Sequence, residues 1–88
     1  MNAKEAYEKA LWNSLPEKLR KEIEDSIKGG QIVGIYFFES VYPEIFEKSD
    51  IVLKTLKNLG YNANIYSINF HGEDDRKLTV MWGGNYNV

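Results

Sequence analysis

The hydrophobic positions of this chain change period twice, and each change marks an element. Ala3, Ala6, Tyr7, Ala10 and Leu11 recur every three or four residues, with Lys4, Glu5, Glu8 and Lys9 opposite them, which predicts an amphipathic first helix. Ser14-Leu15-Pro16-Glu17 has the spacing of a capping box with a proline tolerated in the first turn, so a second helix is expected to start there. Its stripe of Leu15, Leu19, Ile23 and Ile27 is one residue wide and points roughly 100° or more away from the first stripe, which one straight helix cannot reconcile with one core. The second helix is therefore expected at the periphery, ended by Gly29-Gly30.

The period then shortens. Ile32 to Phe38 carries no charge and is apolar on both alternating faces, the pattern of a strand covered on both sides. Ser40 to Pro43 turn the chain into a third helix, where Ile45, Phe46, Val52, Leu53, Leu56 and Leu59 share one face. Glu44 with Lys48, and Asp50 with Lys54, form i,i+4 pairs on the other. Asn58-Leu59-Gly60-Tyr61 predicts a Schellman end with Gly60 at C′. Asn64 to Phe70 alternates again, Tyr66, Ile68 and Phe70 on one face and Ile65, Ser67 and Asn69 on a wetter one. Gly72-Glu73-Asp74-Asp75 reads as a turn and Leu78 to Trp82 as a third strand of an antiparallel hairpin.

These elements predict an α+β protein, a two-layer α/β sandwich in the order α-α-β-α-β-β. It has a three-stranded mixed sheet, a right-handed β-α-β unit and a C-terminal hairpin. The third strand lies either outside the second or between the first two; in the latter case the β-α-β-β part resembles a piece of a split β-α-β, ferredoxin-like layout, at the level of layout alone. With 88 residues the chain makes one domain. Residues 1–30 are expected to form a helical pair, 31–82 the β-α-β-β part and 83–88 a flexible tail.

Composition mainly excludes. The formal charge of -2 argues against a dominant phosphate-backbone interaction, and the balance of charges on either side of Gly29-Gly30 hides no basic half. No apolar stretch approaches the roughly 20 residues that a bilayer demands, and the opening residues are helix formers, so a cytoplasmic protein without membrane contact is expected. The absence of cysteine removes disulfides, thiolate chemistry and thiolate zinc sites. Abundant lysine, asparagine, isoleucine and tyrosine suggest a bacterial or phage source.

Few residues carry candidate chemistry. His71, Glu73, Asp74 and Asp75 bring an imidazole and carboxylates together, readable as a small enzyme or metal site, or as solvated turn residues. Trp12 falls among Glu5, Glu8 and Lys9, so its indole is either covered by the second helix or the tail, or exposed as an interface anchor. Ile51 is similarly placed on the polar side of the third helix. Aromatics crowd the sheet half, Tyr36, Phe38, Tyr66 and Trp82 among them, and the sheet's second face needs a cover: helices on both sides, or a second copy of the chain. The same aromatics suggest a base-stacking platform, but no cation lies within the first two strands and the only basic residues near the third are Arg76 and Lys77. Tyr86 in the tail is a further docking candidate.

The function expected from these observations is a small non-enzymatic protein-binding or regulatory accessory module, acting through an aromatic surface or as a homodimer, with no cofactor, metal or small-molecule ligand. Its interface candidates are Trp12, Ile51, Tyr36, Phe38, Tyr66 and Trp82. The alternative is a nucleic-acid-associated protein using Lys18, Arg20, Lys21 and Lys28 of the second helix, whose field is largely cancelled by Glu17, Glu22, Glu24 and Asp25. An enzyme with His71 as base is the third.

Overall fold

The last strand of the chain occupies the middle of the sheet. A computed structural model describes residues 1–83, with helices α1 (Ala3–Ser14), α2 (Glu17–Lys28), α3 (Pro43–Phe46) and α4 (Ser49–Asn58), and strands β1 (Gly34–Phe38), β2 (Asn62–Phe70) and β3 (Glu73–Met81). The strand order is β1-β3-β2, and β3 runs antiparallel to both neighbours. The sheet expected to be mixed thus has antiparallel ladders only, because β3 separates two strands that run in the same direction. This is the split arrangement left open by the sequence, on an α+β domain of the expected element order.

One face of the sheet carries the core. Ile35 and Phe37 stand opposite Val80 and Leu78, which stand opposite Ala63 and Ile65. Onto this face pack Leu19 and Ile23 of α2, Ile45 and Phe46 of α3, and Val52 and Leu56 of α4, with Leu15 closing the cluster from the α1–α2 link. Full burial of each large side chain here stabilises by about 1.5–3 kcal/mol.

The two N-terminal helices exchange the roles that their stripes suggest. The narrow stripe of α2 lies at the centre, Leu19 and Ile23 having no accessible surface, whereas α1 contributes no buried residue and leaves Tyr7 more than half exposed. Alanines make a wide stripe that holds little apolar area, so α1 gains less from burial than the branched chains of α2. The capping box does not form. Pro16 is the N-cap of α2 without a side-chain bond, and the Ser14 hydroxyl donates instead to the Leu11 carbonyl at 2.7 Å.

The third helix is split. Lys48, at φ -125° and ψ 54°, breaks it between α3 and α4. Ile45 and Phe46 are adjacent, hence about 100° apart on a wheel, and the four-residue α3 buries both while α4 turns Val52, Thr55 and Leu56 inward. The Schellman end forms as expected: Tyr61 N–H donates to the Leu56 carbonyl at 3.1 Å and Gly60 N–H to Lys57 at 3.0 Å, with Gly60 at φ +98°. α2 closes with the same pair of bonds, from Gln31 to Ser26 and from Gly30 to Ile27.

Strand limits also shift. β1 begins at Gly34, leaving Ile32 and Val33 exposed. The acidic residues Glu73, Asp74 and Asp75, expected in a turn, are paired in β3. The turn itself is only His71-Gly72, at φ 53° and 85°, and two successive positive φ angles make the tight connection whose twist suits a hairpin. No described helix is long and apolar enough to cross a membrane. The tail beyond Gly83, Tyr86 included, lies outside the described residues.

Candidate functional site

Side chains alternate across a strand, so the residues between the core positions all emerge on the opposite face. Tyr36 and Phe38 of β1, Glu73, Asp75, Lys77, Thr79 and Met81 of β3, and Asn62, Asn64, Tyr66, Ile68 and Phe70 of β2 share it. The register sets Phe38, Lys77 and Tyr66 in one row and Tyr36, Thr79 and Asn64 in the next. All the packing of the described helices falls on the core face. Tyr36, Tyr66 and Phe70 accordingly keep 59%, 51% and 69% of their surface in solvent. β1 was expected to be covered on both sides; among the described residues only its Ile35 and Phe37 side is.

The face has internal order. The rings of Tyr36 and Phe38 meet edge to face with centroids 5.4 Å apart. Lys77 Nζ lies 4.6 Å from the centre of the Tyr36 ring, a cation held over a π-face in the central row. Phe38, Ser40, Ile68, Phe70 and Asp75 outline a shallow, mainly apolar recess beside it.

A polar clip fixes one end of this surface. Arg76 donates to both carboxylate oxygens of Glu39, at 2.7 and 3.0 Å, and its guanidinium lies 5.3 Å from the Phe46 ring centre. Ser40 donates to Asp75 through its hydroxyl at 2.6 Å and its backbone N–H at 3.1 Å. The Arg76 hydrogen bonds hold the Glu39 carboxyl below its usual range, those from Ser40 do the same for Asp75, and Glu39 in turn raises Arg76. The clip therefore stays charged at neutral pH and ties the end of β1 to β3.

The interface candidates read from the sequence fall in different places. Tyr36, Phe38 and Tyr66 come together on the open face. Trp12 packs against the core despite its place among charged residues on the α1 wheel, and Trp82 does so as well. The Trp82 indole N–H donates to the Gln31 carbonyl at 3.1 Å, and its ring meets that of Tyr61 edge to face. Burial beside this pair raises the Tyr61 phenol above its ordinary value. Ile51 stands alone and exposed on α4.

His71 stands at the hairpin tip against the Phe70 ring, centroids 4.3 Å apart. Among the described residues no group of three or more histidine and acidic side chains is placed to hold a metal ion. Of the α2 cations, Arg20 donates to the Leu15 carbonyl at 3.1 Å and Lys18 lies 5.8 Å from the centre of the Tyr42 ring, so both lean on their own chain.

Lys77, Ile68 and Phe70 were not among the interface candidates, although Phe70 counted among the sheet aromatics and Lys77 among the cations near the third strand. The alternation of β2 already grouped Ile68 and Phe70 with Tyr66; what it lacked was the side on which the helices would settle. No protein-family model, curated protein or solved structure matches this chain.

Proposed function

We propose that the chain is a non-enzymatic protein-binding module whose working surface is the helix-free face of the sheet. The observation that carries this reading is the exposure of Tyr36, Tyr66 and Phe70 on one continuous face with Phe38 and Ile68 between them. Exposed apolar surface of this kind, gathered rather than scattered, marks a contact site, and aromatic side chains supply much of the binding energy at such sites. Lys77 at its centre adds one cation, and Glu73 and Asp75 place carboxylates beside Phe70 and Ile68, so the face offers both signs of charge around its aromatics. The placement of His71, exposed at a turn with a phenyl ring as its aromatic neighbour, supports binding over catalysis. A cytoplasmic site of action belongs to the same proposal.

The test compares the wild-type chain with a Tyr36→Ser, Tyr66→Ser double variant as baits, with circular dichroism on both. A partner retained by the wild type and lost by an equally folded variant supports the reading. Equal retention by both, or none by either together with a monomeric mass for the wild type, overturns it.

A second reading has one specific observation in its favour. Lys77 supplies, from β3, the cation among aromatics that the first two strands lack, and aromatic rings on an open sheet stack single-stranded bases. It is one cation on a chain of net charge -2, which favours the protein partner. A gel shift with single-stranded oligonucleotides at low ionic strength discriminates: no shift ends the nucleic-acid reading, for this face and for α2 alike.

A further inference from the structure

Sheet edges expose backbone groups, and β2 is an edge with none of the usual protections. Antiparallel ladders alternate, each residue directing its N–H and C=O to one neighbour or the other. Trp82 N–H donates to the Val33 carbonyl and Glu39 N–H to the Arg76 carbonyl, both at 2.9 Å, so the even-numbered residues of β3 direct their backbone groups to β1 and its odd-numbered residues to β2. The partners of those odd residues are Asn62, Asn64, Tyr66, Ile68 and Phe70. Ala63, Ile65, Ser67 and Asn69 therefore turn their N–H and C=O groups outward, and no backbone partner meets them among the described residues. Edge strands are normally shortened, charged, bulged or broken by proline. β2 is nine residues long, carries no charge and no proline, and pairs with β3 without a bulge.

The same strand is complementary to itself over its longest apolar stretch when Ile68 lies on the axis. Placing Ile68 opposite Ile68 of a second, antiparallel copy sets Tyr66 against Phe70 on the open face and Ser67 against Asn69 on the other. One side of the seam is then wholly apolar and the other wholly polar. A two-fold axis at Ser67 instead sets Asn64 against Phe70, and one at Tyr66 sets Asn64 against Ile68, so both mix polar with apolar partners. The Ile68 register also uses the half of β2 that extends past β1, whose ladder with β3 stops at Phe38 opposite Lys77. Aromatic pairs and aliphatic pairs directly across an antiparallel seam are the favourable ones.

We infer that the chain pairs with a second copy of itself along β2, antiparallel, with Ile68 on the two-fold axis, giving a continuous six-stranded sheet. This deepens the protein-binding reading by joining two aromatic faces into one, yet it rests on the edge backbone and can fail separately. An isologous contact of this kind closes on itself and leaves only the two β1 strands as edges.

The chain has no cysteine, so single cysteines report the seam without interference. Ile68 lies in a non-hydrogen-bonded position, where facing Cα atoms sit about 4.5 Å apart and a disulfide fits. Under mild oxidation, Ile68→Cys should give a covalent dimer in much higher yield than Ser67→Cys or Tyr66→Cys. Ser67→Pro removes an outward N–H while leaving the ladder to β3 intact, and Ile68→Lys places two like charges face to face; light scattering should show a dimer for the wild type and a monomer for each. Should Ser67→Pro fail to fold, the cysteine series and Ile68→Lys decide the matter. A monomeric wild type with no excess crosslinking at Ile68 overturns the pairing, and stronger crosslinking at Ser67 or Tyr66 overturns this register. Loss of a partner on changing Tyr36, far from the seam, would leave the binding face standing even then.

Discussion

Arg76 grips both carboxylate oxygens of Glu39, and the contact joins the end of β1 to the central strand just where β1 stops. Asp75, next along the chain, is held by Ser40 on the same turn. Both carboxyls titrate below their unfolded range, so their contribution to stability is complete above that range and is lost as pH falls through the lowered folded values. The melting temperature should therefore drop on acidification below about pH 4. A Glu39→Gln, Asp75→Asn double variant should show a shallower drop over the same window by thermal circular dichroism; an unchanged slope would mean that the clip does not govern acid sensitivity.

Neighbouring residues of β1 should respond very differently to truncation. Phe37 is buried against Tyr42 and Leu78, and Phe37→Ala should cost about 3–5 kcal/mol. Tyr36, one position away, faces solvent, and Tyr36→Ala should cost under about 1 kcal/mol, mostly the lost contact with Lys77. Urea unfolding of the two variants checks this; comparable losses would show the open face to be covered.

The two N-terminal helices offer a parallel contrast. Leu19→Ala should lower stability by about 2–5 kcal/mol, while Tyr7→Ala should stay within about 0.5 kcal/mol of the wild type. A larger loss at Tyr7 than at Leu19 in denaturant melts would reverse the assignment of α2 to the core.

Gly60→Ala places a Cβ where φ is +98°, with no neighbour to clash, so the cost is the backbone conformation alone, about 1–2 kcal/mol. An Asn at the same position should recover part of it, because asparagine tolerates left-handed backbone better than alanine. Equal melting temperatures for all three chains would contradict the Schellman geometry.

Much of this architecture was legible in the residues. The end of α4 was written in Asn58-Leu59-Gly60-Tyr61 because a Schellman motif needs only local chemistry. The hairpin and the alternation of β2 were legible for the same reason. What failed was whatever depended on a partner element. A charge-free strand such as β1 looks the same whether its second face is covered or open, since periodicity records apolarity and not what lies against it. Trp12 looked misplaced on the α1 wheel because the wheel is blind to where α4 and the α1–α2 link bring the core. The acidic run at Glu73 looked like a turn because the real turn, His71-Gly72, is so short that the strand resumes at once. The open face therefore emerged only once the side chosen by the helices was known; its members Ile68 and Phe70 were already grouped correctly with Tyr66.

The central place of β3 has a consequence for how the molecule is made. As the chain leaves the ribosome, β1 and β2 emerge with no strand of the same chain beside them, since among the described residues each pairs within the chain only with residues 73–81. The sheet can be assembled only after residues 73–81 have been synthesised, and the nascent polypeptide carries two unpaired strands until then. Chains truncated after His71 should consequently be protease-sensitive and chaperone-bound, and those with β3 complete should not.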